Sequence, residues 1–311
     1  MFNIFFDESV SFKHKILTLV TFNNKALIAS FFNLYVKILV FLNFKNRSKF
    51  FYIKKLSDKH FTVNTEEGLV NTAVVYRCLF LSCGLEYRLN LLANTYGVNY
   101  FKKVFEKKIP VVIDIGANIG EFSIYCAKRN SKVFSIEHDK TVFPILKLNL
   151  EKFYPGSMLS FNMSISNKTG NQNIFYGTLT GSTTLIEPVE KKDFNKKMEI
   201  NKFSPEDKVW DETKSITLDD FIDNNKIEFI DLIKCDAEGA EPEVIEGLKR
   251  NLAKVDYITI DTGPERRGKS TTDDVVKLLK DKNFEIIKIP NINVAGPVRE
   301  VVIARNKIFI I

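Results

Sequence analysis

VVIDIGANIGE, from Val111 to Glu121, is the stretch of sequence that decides the fold. It begins with a short run of apolar, mostly β-branched residues broken by one aspartate, and such a run predicts a buried strand. Gly116 and Gly120 then allow a tight turn and a close approach of the backbone to a ligand. Asn118 is predicted to cap the helix that follows, with Glu121 three residues later as in a capping box. A strand that passes through a glycine-rich turn into a helix is typical of cofactor-binding α/β folds.

The residues of this turn indicate which kind of ligand it binds. A dinucleotide-binding turn would carry glycine at position 118, so that a pyrophosphate can lie against the backbone, and Asn118 therefore favours a ligand without one. The next predicted strand ends in Glu137, 23 residues after Asp114. A carboxylate at this place can accept hydrogen bonds from both hydroxyls of a ribose. The alternative is an ordinary strand–turn–helix unit with a surface glutamate at its edge.

Short apolar strands alternate with helical patterns along the rest of the chain after residue 109. This alternation predicts an α/β fold, with a Rossmann-like, mostly parallel sheet and helices on both faces. Residues 177–215 interrupt it with a polar, lysine-rich segment that we interpret as an inserted hairpin or lid, and Thr217–Ile222 resumes the core. The predicted strands are Pro110–Ile115, Lys132–Glu137, Met158–Ser166, Phe229–Asp236, Tyr257–Asp261, Phe284–Ile289 and Val298–Ala304. The predicted helices are Ile119–Lys128, Val142–Phe153, Glu241–Asn251 and Thr271–Lys280.

A second motif that suits catalysis lies in and after the predicted strand Phe229–Asp236. The period of two places Lys234 and Asp236 on one face of that strand, and a lysine so deep in a buried strand is costly unless it is paired. Sheets of this kind bind ligands outside the carboxyl ends of their strands. Lys234, Asp236 and the following Glu238 are therefore the candidate catalytic residues. The alternative is a structural Lys–Asp pair, with Glu238 stabilising a helix N-terminus.

Four blocks of the sequence are similar to the signature blocks of one enzyme family: DIGANIG (Asp114–Gly120), Ile136–Glu137, TLDDF (Thr217–Phe221) and LIKCDAEGAE (Leu232–Glu241). Together they resemble the FkbM family of class I S-adenosylmethionine-dependent methyltransferases, over roughly residues 85–305. The resemblance implies a seven-stranded, mostly parallel sheet with an antiparallel last strand. It also implies O-methylation of a hydroxyl, often on a sugar or glycolipid. Cys235 stands where the family usually has an aliphatic residue, a difference that we attribute to packing.

These motifs define the predicted cofactor and catalytic residues. A sugar hydroxyl is a very weak acid, so its methylation gains from a general base or a metal ion. Asp236 is the predicted base, assisted by Lys234 and Glu238. A Mg²⁺ site that includes Asp236 and Asp261 is compatible with the sequence but is not predicted. The predicted cofactor is S-adenosylmethionine, bound by Asp114, Gly116, Asn118, Gly120 and Glu137, with Ser164 as a wall of the adenine pocket.

The segment GPERRGKS, from Gly263 to Ser270, fits the pattern of a phosphate-binding loop between a strand and a helix. A P-loop nucleotidase is therefore the rival enzyme class. We do not favour it, because only 41 residues follow the segment and none of them forms an apolar strand that ends in a magnesium-binding aspartate. Arg266 and Arg267 of the same segment are candidates for contact with an anionic or sugar substrate. A second alternative is a non-catalytic, methyltransferase-like interaction module, against which the intact glycine-rich turn counts.

The composition argues against several other classes of protein. With 45% apolar and 27% charged residues, the bulk of the chain is not of a disordered type. Four cysteines without paired spacing and only three histidines argue against a disulfide scaffold and a histidine-rich metal centre. The net charge of +7 belongs to residues 1–60, which hold ten Lys/Arg and three Asp/Glu, whereas residues 61–311 hold 35 of each sign. No nucleic-acid-binding motif is visible.

Residues 1–60 are predicted to form a basic, aromatic-rich helical extension, before a lead-in segment over 61–105 and a methyltransferase domain over 106–311. Eleven of the 27 phenylalanines lie in this extension, a composition typical of a membrane-surface element. Its apolar helix, 26–44, carries Lys37 within a polar stripe, which favours an amphipathic helix over a membrane span. We therefore expect a cytoplasmic protein that is peripheral on an anionic inner membrane surface, unless this helix packs on the domain or on a partner.

Overall fold

The computed structural model describes residues 53–57, 60–73, 77, 81, 84–156, 158–176, 183–186, 210–289 and 301–310. Contacts between residues divide the chain into two compact units, Met1–Leu91 with Val294–Val298, and Leu92–Asn293 with Arg299–Ile311. The predicted helix at 26–44 and most of the predicted insertion at 177–215 lie outside the described residues. Within the described parts of the chain, no helix is both long enough and apolar enough to cross a membrane.

The described residues form fourteen strands and six α-helices. The strands are β1 (Ile53–Ser57), β2 (His60–Thr65), β3 (Gly68–Thr72), β4 (Val111–Ile115), β5 (Lys132–Ile136), β6 (Met158–Phe161), β7 (Ser164–Ser166), β8 (Gly170–Tyr176), β9 (Thr183–Thr184), β10 (Trp210–Thr217), β11 (Ile230–Cys235), β12 (Val255–Asp261), β13 (Phe284–Lys288) and β14 (Val301–Asn306). The helices are α1 (Leu85–Thr95), α2 (Glu121–Ala127), α3 (Phe143–Phe153), α4 (Leu218–Asn224), α5 (Glu241–Glu246) and α6 (Thr272–Asp281).

The first unit contains a three-stranded antiparallel sheet of β1, β2 and β3. Thr65 pairs with Gly68 across the turn between β2 and β3, so Glu66 and Glu67 form the tip of a β-hairpin. The Glu66 carboxylate accepts hydrogen bonds from the backbone N–H groups of Leu85 (2.9 Å) and Glu86 (3.0 Å). These bonds satisfy N–H groups that the first turn of α1 would otherwise leave without partners.

The second unit is built on a seven-stranded sheet with the order β13-β14-β12-β11-β4-β5-β6. Its paired strands are parallel except at β14, which runs antiparallel to both β12 and β13. β11 and β12 are buried along their whole length, as expected for parallel strands whose two faces are both covered. The predicted α/β fold, with seven strands and an antiparallel last strand, is confirmed.

A smaller sheet, with the order β7-β10-β8-β9, lies in the same unit. The strand predicted at Met158–Ser166 is in fact two strands, because the chain leaves the large sheet after β6 and β7 pairs with β10 instead. The Asn162 side chain, between the two, donates hydrogen bonds to the carbonyl groups of Glu137 (3.0 Å) and His138 (3.3 Å). β8 and β10 pair as an antiparallel ladder, so a hairpin-like pair of strands leads into and out of the predicted insertion.

The TLDDF block has a structural explanation. Thr217 caps α4 by accepting a hydrogen bond from the Asp220 N–H at 3.1 Å, as Ser and Thr commonly do at a helix N-terminus. The buried carboxylate of Asp219 accepts hydrogen bonds at 2.8–3.0 Å from three consecutive N–H groups in the segment after α5. That segment was predicted to continue the helix to Asn251, but the helix ends at Glu246, and Asp219 takes the N–H groups that a helix would use.

Candidate active site

Three loops meet at the carboxyl ends of β4, β5 and β11. Ile115 pairs with Ile136 on one side and with Cys235 on the other, so the residues after these three positions share one edge of the sheet. The backbone N–H groups of Gly116 and Ala117 both donate to the Ile136 carbonyl, at 3.0 and 2.9 Å. The structure therefore brings the glycine-rich turn, the end of β5 and the end of β11 to one place.

Gly116 occupies a position at which a side chain does not fit. Its φ of +69° lies in the left-handed region, and a Cβ on it would lie 1.9 Å from the carbonyl oxygen of Asp236. The Asp236 N–H in turn donates to the Ile115 carbonyl at 3.1 Å. Glycine at position 116 is thus what allows the loop after β4 to lie directly against the loop after β11.

The helix cap predicted at Asn118 is wrong. α2 begins only after Gly120, whose φ is +91°, and no side chain caps this end of the helix. Asn118 adopts a left-handed φ of +52°, so it belongs to the turn itself, a conformation that asparagine tolerates better than most residues. A Cβ on Gly120 would lie 2.9 Å from side-chain atoms of both Leu146 and Leu150. Gly120 is therefore required by the close packing of this turn on α3.

Glu137 is buried at the end of β5. Its two carboxylate oxygens accept hydrogen bonds from the backbone N–H groups of Asn118 and Asp139, both at 2.8 Å. Burial raises the pKa of Glu137, and His138, whose Nδ1 lies 3.8 Å from Oε1, opposes that rise. A carboxylate oxygen has more than one lone pair, so Glu137 retains acceptor capacity at the place where the sequence predicts a ribose.

Lys234 lies underneath the glycine-rich turn. Its Nζ is 3.0 Å from Asp114 Oδ1, and it donates to the carbonyl groups of Ile115 (3.2 Å) and Gly116 (2.8 Å). Both charged side chains are almost fully buried, with exposed fractions of 2% for Lys234 and 0% for Asp114. Ser123 donates to the second oxygen of Asp114 at 2.6 Å. Lys234 thus makes two hydrogen bonds to carbonyl groups and one ion pair with Asp114.

Asp236 follows β11, and its carboxylate is held by a residue that sequence reasoning missed. The hydroxyl of Tyr96 donates to Asp236 Oδ2 at 2.6 Å. Tyr96 is 1% exposed, and its ring lies 5.0 Å from Lys234 Nζ. The two hydrogen-bonded residues are 140 positions apart in the chain, and no motif marks Tyr96, so nothing in the sequence could have paired them.

Glu241 holds the loop that carries Glu238. Its Oε1 accepts hydrogen bonds from the N–H groups of Ala237 (3.2 Å) and Gly239 (2.9 Å), and its Oε2 accepts from the Thr271 hydroxyl (2.9 Å). Burial raises the pKa of Glu241 to about 7. Glu238 is partly exposed on this loop and has a left-handed φ of +50°. The sequence offered a signal for Glu241, because it ends the LIKCDAEGAE block, but no role was assigned to it.

The segment Gly263–Ser270, which resembles a phosphate-binding loop, is tied down by its own side chains. The Arg266 guanidinium makes two hydrogen bonds of 2.8 Å to the Glu243 carboxylate and donates to the Gly239 carbonyl at 2.9 Å. The Ser270 hydroxyl, which a phosphate-binding loop would offer to Mg²⁺, donates to the Thr262 carbonyl at 2.6 Å. Arg266 and Ser270 therefore both hold the loop in place through these hydrogen bonds.

Several carboxylates lie near Asp236, but they do not form a metal centre. Although Glu265 as a residue is exposed, its carboxyl folds against Gly263, on which a Cβ would lie 2.5 Å from Oε1. Burial of that carboxyl, and the charges of Asp261, Asp236 and Glu241, raise the pKa of Glu265 to about 8. In the parts of the chain that the structure describes, no group of three or more His, Cys, Asp or Glu side chains is arranged to hold a metal ion.

A mostly apolar cleft opens between the three loops. Ser164 lies in its wall, where the sequence predicts a wall of the adenine pocket, and Leu185 joins it from the described part of the insertion. Its lining also includes Gly116 and Asp236, so the cleft reaches both motifs. Apolar walls with a few polar groups are typical of sites for small molecules and cofactors. Other lining residues are Ile136, His138, Met163 and Ile165.

A comparison with protein families shows to which family the chain belongs. The model of the methyltransferase FkbM domain matches residues 114–286, from the last part of β4 into β13. The chain belongs to the FkbM methyltransferase family. It is an S-adenosylmethionine-dependent methyltransferase, as the four sequence blocks indicate, and the resemblance that they carry is confirmed.

Two relatives of this FkbM methyltransferase are also named methyltransferases. The chain is 27% identical over 197 residues to methyltransferase sdnD of Sordaria araneosa, a match that covers 58% of this chain and 75% of the relative. It is 24% identical over 181 residues to the hexuronic acid methyltransferase AglP of Haloferax volcanii, over 58% of this chain and 66% of the relative. Among solved structures, it is similar to a magnesium protoporphyrin IX methyltransferase from Synechocystis with bound S-adenosylmethionine. That match has 10% identity and a TM-score of 0.42, over 70% of this chain and 79% of the other.

Proposed function

We propose that this methyltransferase transfers a methyl group from S-adenosylmethionine to a hydroxyl of a sugar, a glycan or a glycolipid. The observation that carries the proposal is the position of Asp236, whose carboxylate is held by Tyr96 beside the glycine-rich turn. Ligands of such sheets bind outside the carboxyl ends of the strands. A carboxylate at that edge suits a hydroxyl acceptor, because a sugar hydroxyl is a very weak acid and gains from a general base.

The residues around the turn fit the cofactor. In this proposal, Glu137 accepts hydrogen bonds from the ribose hydroxyls, Asn118 and the two glycines of the turn contact the cofactor, and the apolar cleft beside Ser164 takes the flat adenine ring. Asp114 and Lys234 support the turn from below. When bound, S-adenosylmethionine supplies an electrophilic methyl group. Its transfer is an in-line displacement, so the protein contributes mainly by positioning the reactants.

Each candidate catalytic residue has a separate part in the proposal. Asp236 accepts the proton of the acceptor hydroxyl. Lys234 keeps the turn in place, since it donates hydrogen bonds to the carbonyl groups of Ile115 and Gly116. Glu238, on the loop that Glu241 holds, contacts the acceptor. A non-catalytic interaction module is not favoured, because the turn, the carboxylate at the end of β5 and Asp236 are all present at one edge.

The acceptor class is supported by one relative. The name of AglP states that it methylates a hexuronic acid, and we infer that a sugar acid is the first acceptor to test for this chain. Methyl-labelled S-adenosylmethionine is incubated with the full-length protein and with methyl glucuronide or an oligosaccharide that ends in a hexuronic acid. Gain of one methyl group, read by mass spectrometry, supports the proposal. Transfer to amino or thiol acceptors only would overturn the O-methyltransferase assignment.

The base role of Asp236 has its own test. Asp236→Asn keeps the shape of the side chain but removes its basicity, so turnover is expected to fall by the ~10²–10⁴-fold typical of a lost general base, with S-adenosylhomocysteine bound as before. Asp281→Asn, at an exposed position at the end of α6, is the matched control and keeps full turnover. Equal losses of turnover and cofactor affinity in Asp236→Asn would assign Asp236 to cofactor binding or to folding instead.

We also propose that residues 1–60 hold the enzyme on an anionic membrane surface, where a glycolipid acceptor would lie. The support is their charge and aromatic content, with each basic residue near such a surface contributing ~1 kcal/mol before screening. Flotation with liposomes that contain phosphatidylserine tests this. Binding should fall with added salt and vanish when residues 1–60 are deleted, and a full-length protein that stays unbound at low salt would contradict it.

A further inference from the structure

We propose that Tyr96 is a positioning residue of the active site, which holds the carboxylate of Asp236 in the orientation that methyl transfer requires. The proposal rests on the base role of Asp236 and adds a residue to it. Tyr96 precedes the part of the chain that the family model matches, which begins at Asp114. A residue before the family domain therefore contributes to the site.

The hydrogen bond itself is the first observation. The Tyr96 hydroxyl lies 2.6 Å from Asp236 Oδ2, a distance typical of an O–H donor on an ionised carboxylate. Tyr96 is 1% exposed, so water has little access to the donor side of this bond. A hydrogen bond to a charged group is worth more than one between neutral groups, and its direction limits rotation of the carboxylate about its own axis. The phenol thereby restricts where the second oxygen of Asp236 points.

Contacts with β12, α2 and β14 set the placement of Tyr96 and of the neighbouring Gly97. Its carbonyl accepts a hydrogen bond from the Thr259 hydroxyl on β12 at 2.8 Å, and its ring packs edge-on against Phe122 of α2 at a centroid distance of 5.4 Å. Gly97 follows with a left-handed φ of +73°, and a Cβ there would lie 2.3 Å from Ile303. The end of α1 is thus held against the sheet, and a phenol held in this way is preorganised.

Tyr96 also contacts the support of the glycine-rich turn. Lys234 Nζ lies 5.0 Å from the centre of its ring, within the range of an attraction between a cation and an aromatic face. The same ammonium holds Asp114 and the carbonyl of Gly116. One side chain therefore touches both the proposed base and the lysine that supports the cofactor turn.

Tyr96→Phe in the full-length protein is the test, because it removes the hydroxyl and keeps the ring over Lys234 and Phe122. Tyr125→Phe is the matched control: Tyr125 is also buried, and its ring stacks on the same Phe122. Turnover of a methylated hydroxyl acceptor is expected to fall about 10- to 100-fold in Tyr96→Phe, the range for one charge-assisted hydrogen bond. The KM for S-adenosylmethionine and the affinity for S-adenosylhomocysteine stay within about twofold of the parent, since that bond does not contact the cofactor turn.

A spectroscopic measurement separates this inference from the proposed function. A short hydrogen bond from a buried phenol to a carboxylate gives a downfield, slowly exchanging hydroxyl proton in the NMR spectrum of the S-adenosylhomocysteine complex. We expect that signal to disappear in Tyr96→Phe, to move upfield in Asp236→Asn, whose neutral amide oxygen is a weaker acceptor, and to remain in Tyr125→Phe. If the parent protein methylates no hydroxyl acceptor, the proposed function fails. The proton signal then still tests whether Tyr96 donates a hydrogen bond to Asp236. Three results for Tyr96→Phe would overturn the positioning role. They are turnover equal to that of the parent, a joint loss of turnover and cofactor affinity, and a retained proton signal.

Discussion

Lys234 and Asp114 lie directly opposite each other on neighbouring parallel strands, with Nζ 3.0 Å from Oδ1 and both side chains almost fully buried. Burying two charges is costly, and their attraction offsets that cost only while both are present. Because the same ammonium also donates to the carbonyl groups of Ile115 and Gly116, the pair couples the stability of the sheet to the shape of the glycine-rich turn.

Removing the lysine should therefore be strongly destabilising. Lys234→Met leaves the Asp114 charge buried without its partner, and we expect the free energy of unfolding to fall by ~3–5 kcal/mol, measured by urea titration. Lys140→Met is the matched control, since Lys140 pairs at 2.7 Å with Asp211 at a partly exposed position. That pair is expected to contribute at most ~1 kcal/mol. Equal effects of the two substitutions would contradict the role assigned to Lys234.

Gly116→Ala should separate the two loops that meet at the site. The new Cβ would overlap the Asp236 carbonyl at 1.9 Å, so we expect a loss of at least ~2 kcal/mol in stability and a large loss of affinity for S-adenosylhomocysteine. Gly156→Ala provides the control, because Gly156 also has a positive φ, +88°, but no atom lies within 4 Å of its added Cβ. Gly156→Ala is therefore expected to lose only ~1 kcal/mol of stability, from the strain of a positive φ at alanine. Isothermal titration calorimetry and thermal unfolding measure both effects.

Glu137→Gln tests the proposed ribose contact. A glutamine fills the same space but loses the negative charge that strengthens bonds from hydroxyl donors. We expect affinity for S-adenosylhomocysteine to fall about 10- to 100-fold, by calorimetry, as charge-assisted bonds are replaced or lost. Glu151→Gln, at an exposed position on α3, should leave the affinity unchanged. Parental affinity in Glu137→Gln would remove Glu137 from the cofactor site.

Glu241 gives a prediction about pH. Its pKa in the folded protein is about 7, above the ordinary value of roughly 4.3 for glutamate. The folded state therefore binds this proton more tightly than the unfolded chain, and the contribution to stability is full below pH ~4 and is lost as the pH rises to about 7. At 1.36 kcal/mol for each pH unit, the whole loss is about 3–4 kcal/mol.

Glu241→Gln removes this titration while keeping the size of the side chain. As the pH rises from 4 to 8, the free energy of unfolding of the glutamine variant should increase by about 3 kcal/mol relative to that of the parent. This change with pH is the prediction, and it does not depend on which protein is more stable at pH 4. Urea unfolding of both proteins across this range measures it. The stability of the exposed Glu151→Gln variant should change with pH in the same way as that of the parent. If Glu241→Gln also followed the parent, the Glu241 carboxyl would titrate normally and the prediction would be wrong.

The elements of the core could be predicted from the sequence, because their signals are local. Short segments rich in apolar, mostly β-branched residues mark β4, β5, β11 and β12, and Gly116 and Gly120 mark the turn after β4. Errors occurred where a local signal met a stronger contact from elsewhere. The helix after Glu241 ends early because Asp219, from another element, binds the N–H groups beyond it. Asn118 does not cap α2, because the turn continues through Gly120 before the helix begins.

The sequence by itself determined the α/β class, the family and the two motifs, since strand periodicity, glycine turns and a lysine inside an apolar strand can all be seen within a few residues. Only the tertiary structure decided what those motifs do to each other. The pairing of Lys234 with Asp114 depends on strand register, and the bond from Tyr96 to Asp236 joins residues 140 positions apart. Register and long-range contacts arise from packing of the whole sheet and its helices, and no short stretch of sequence carries that information.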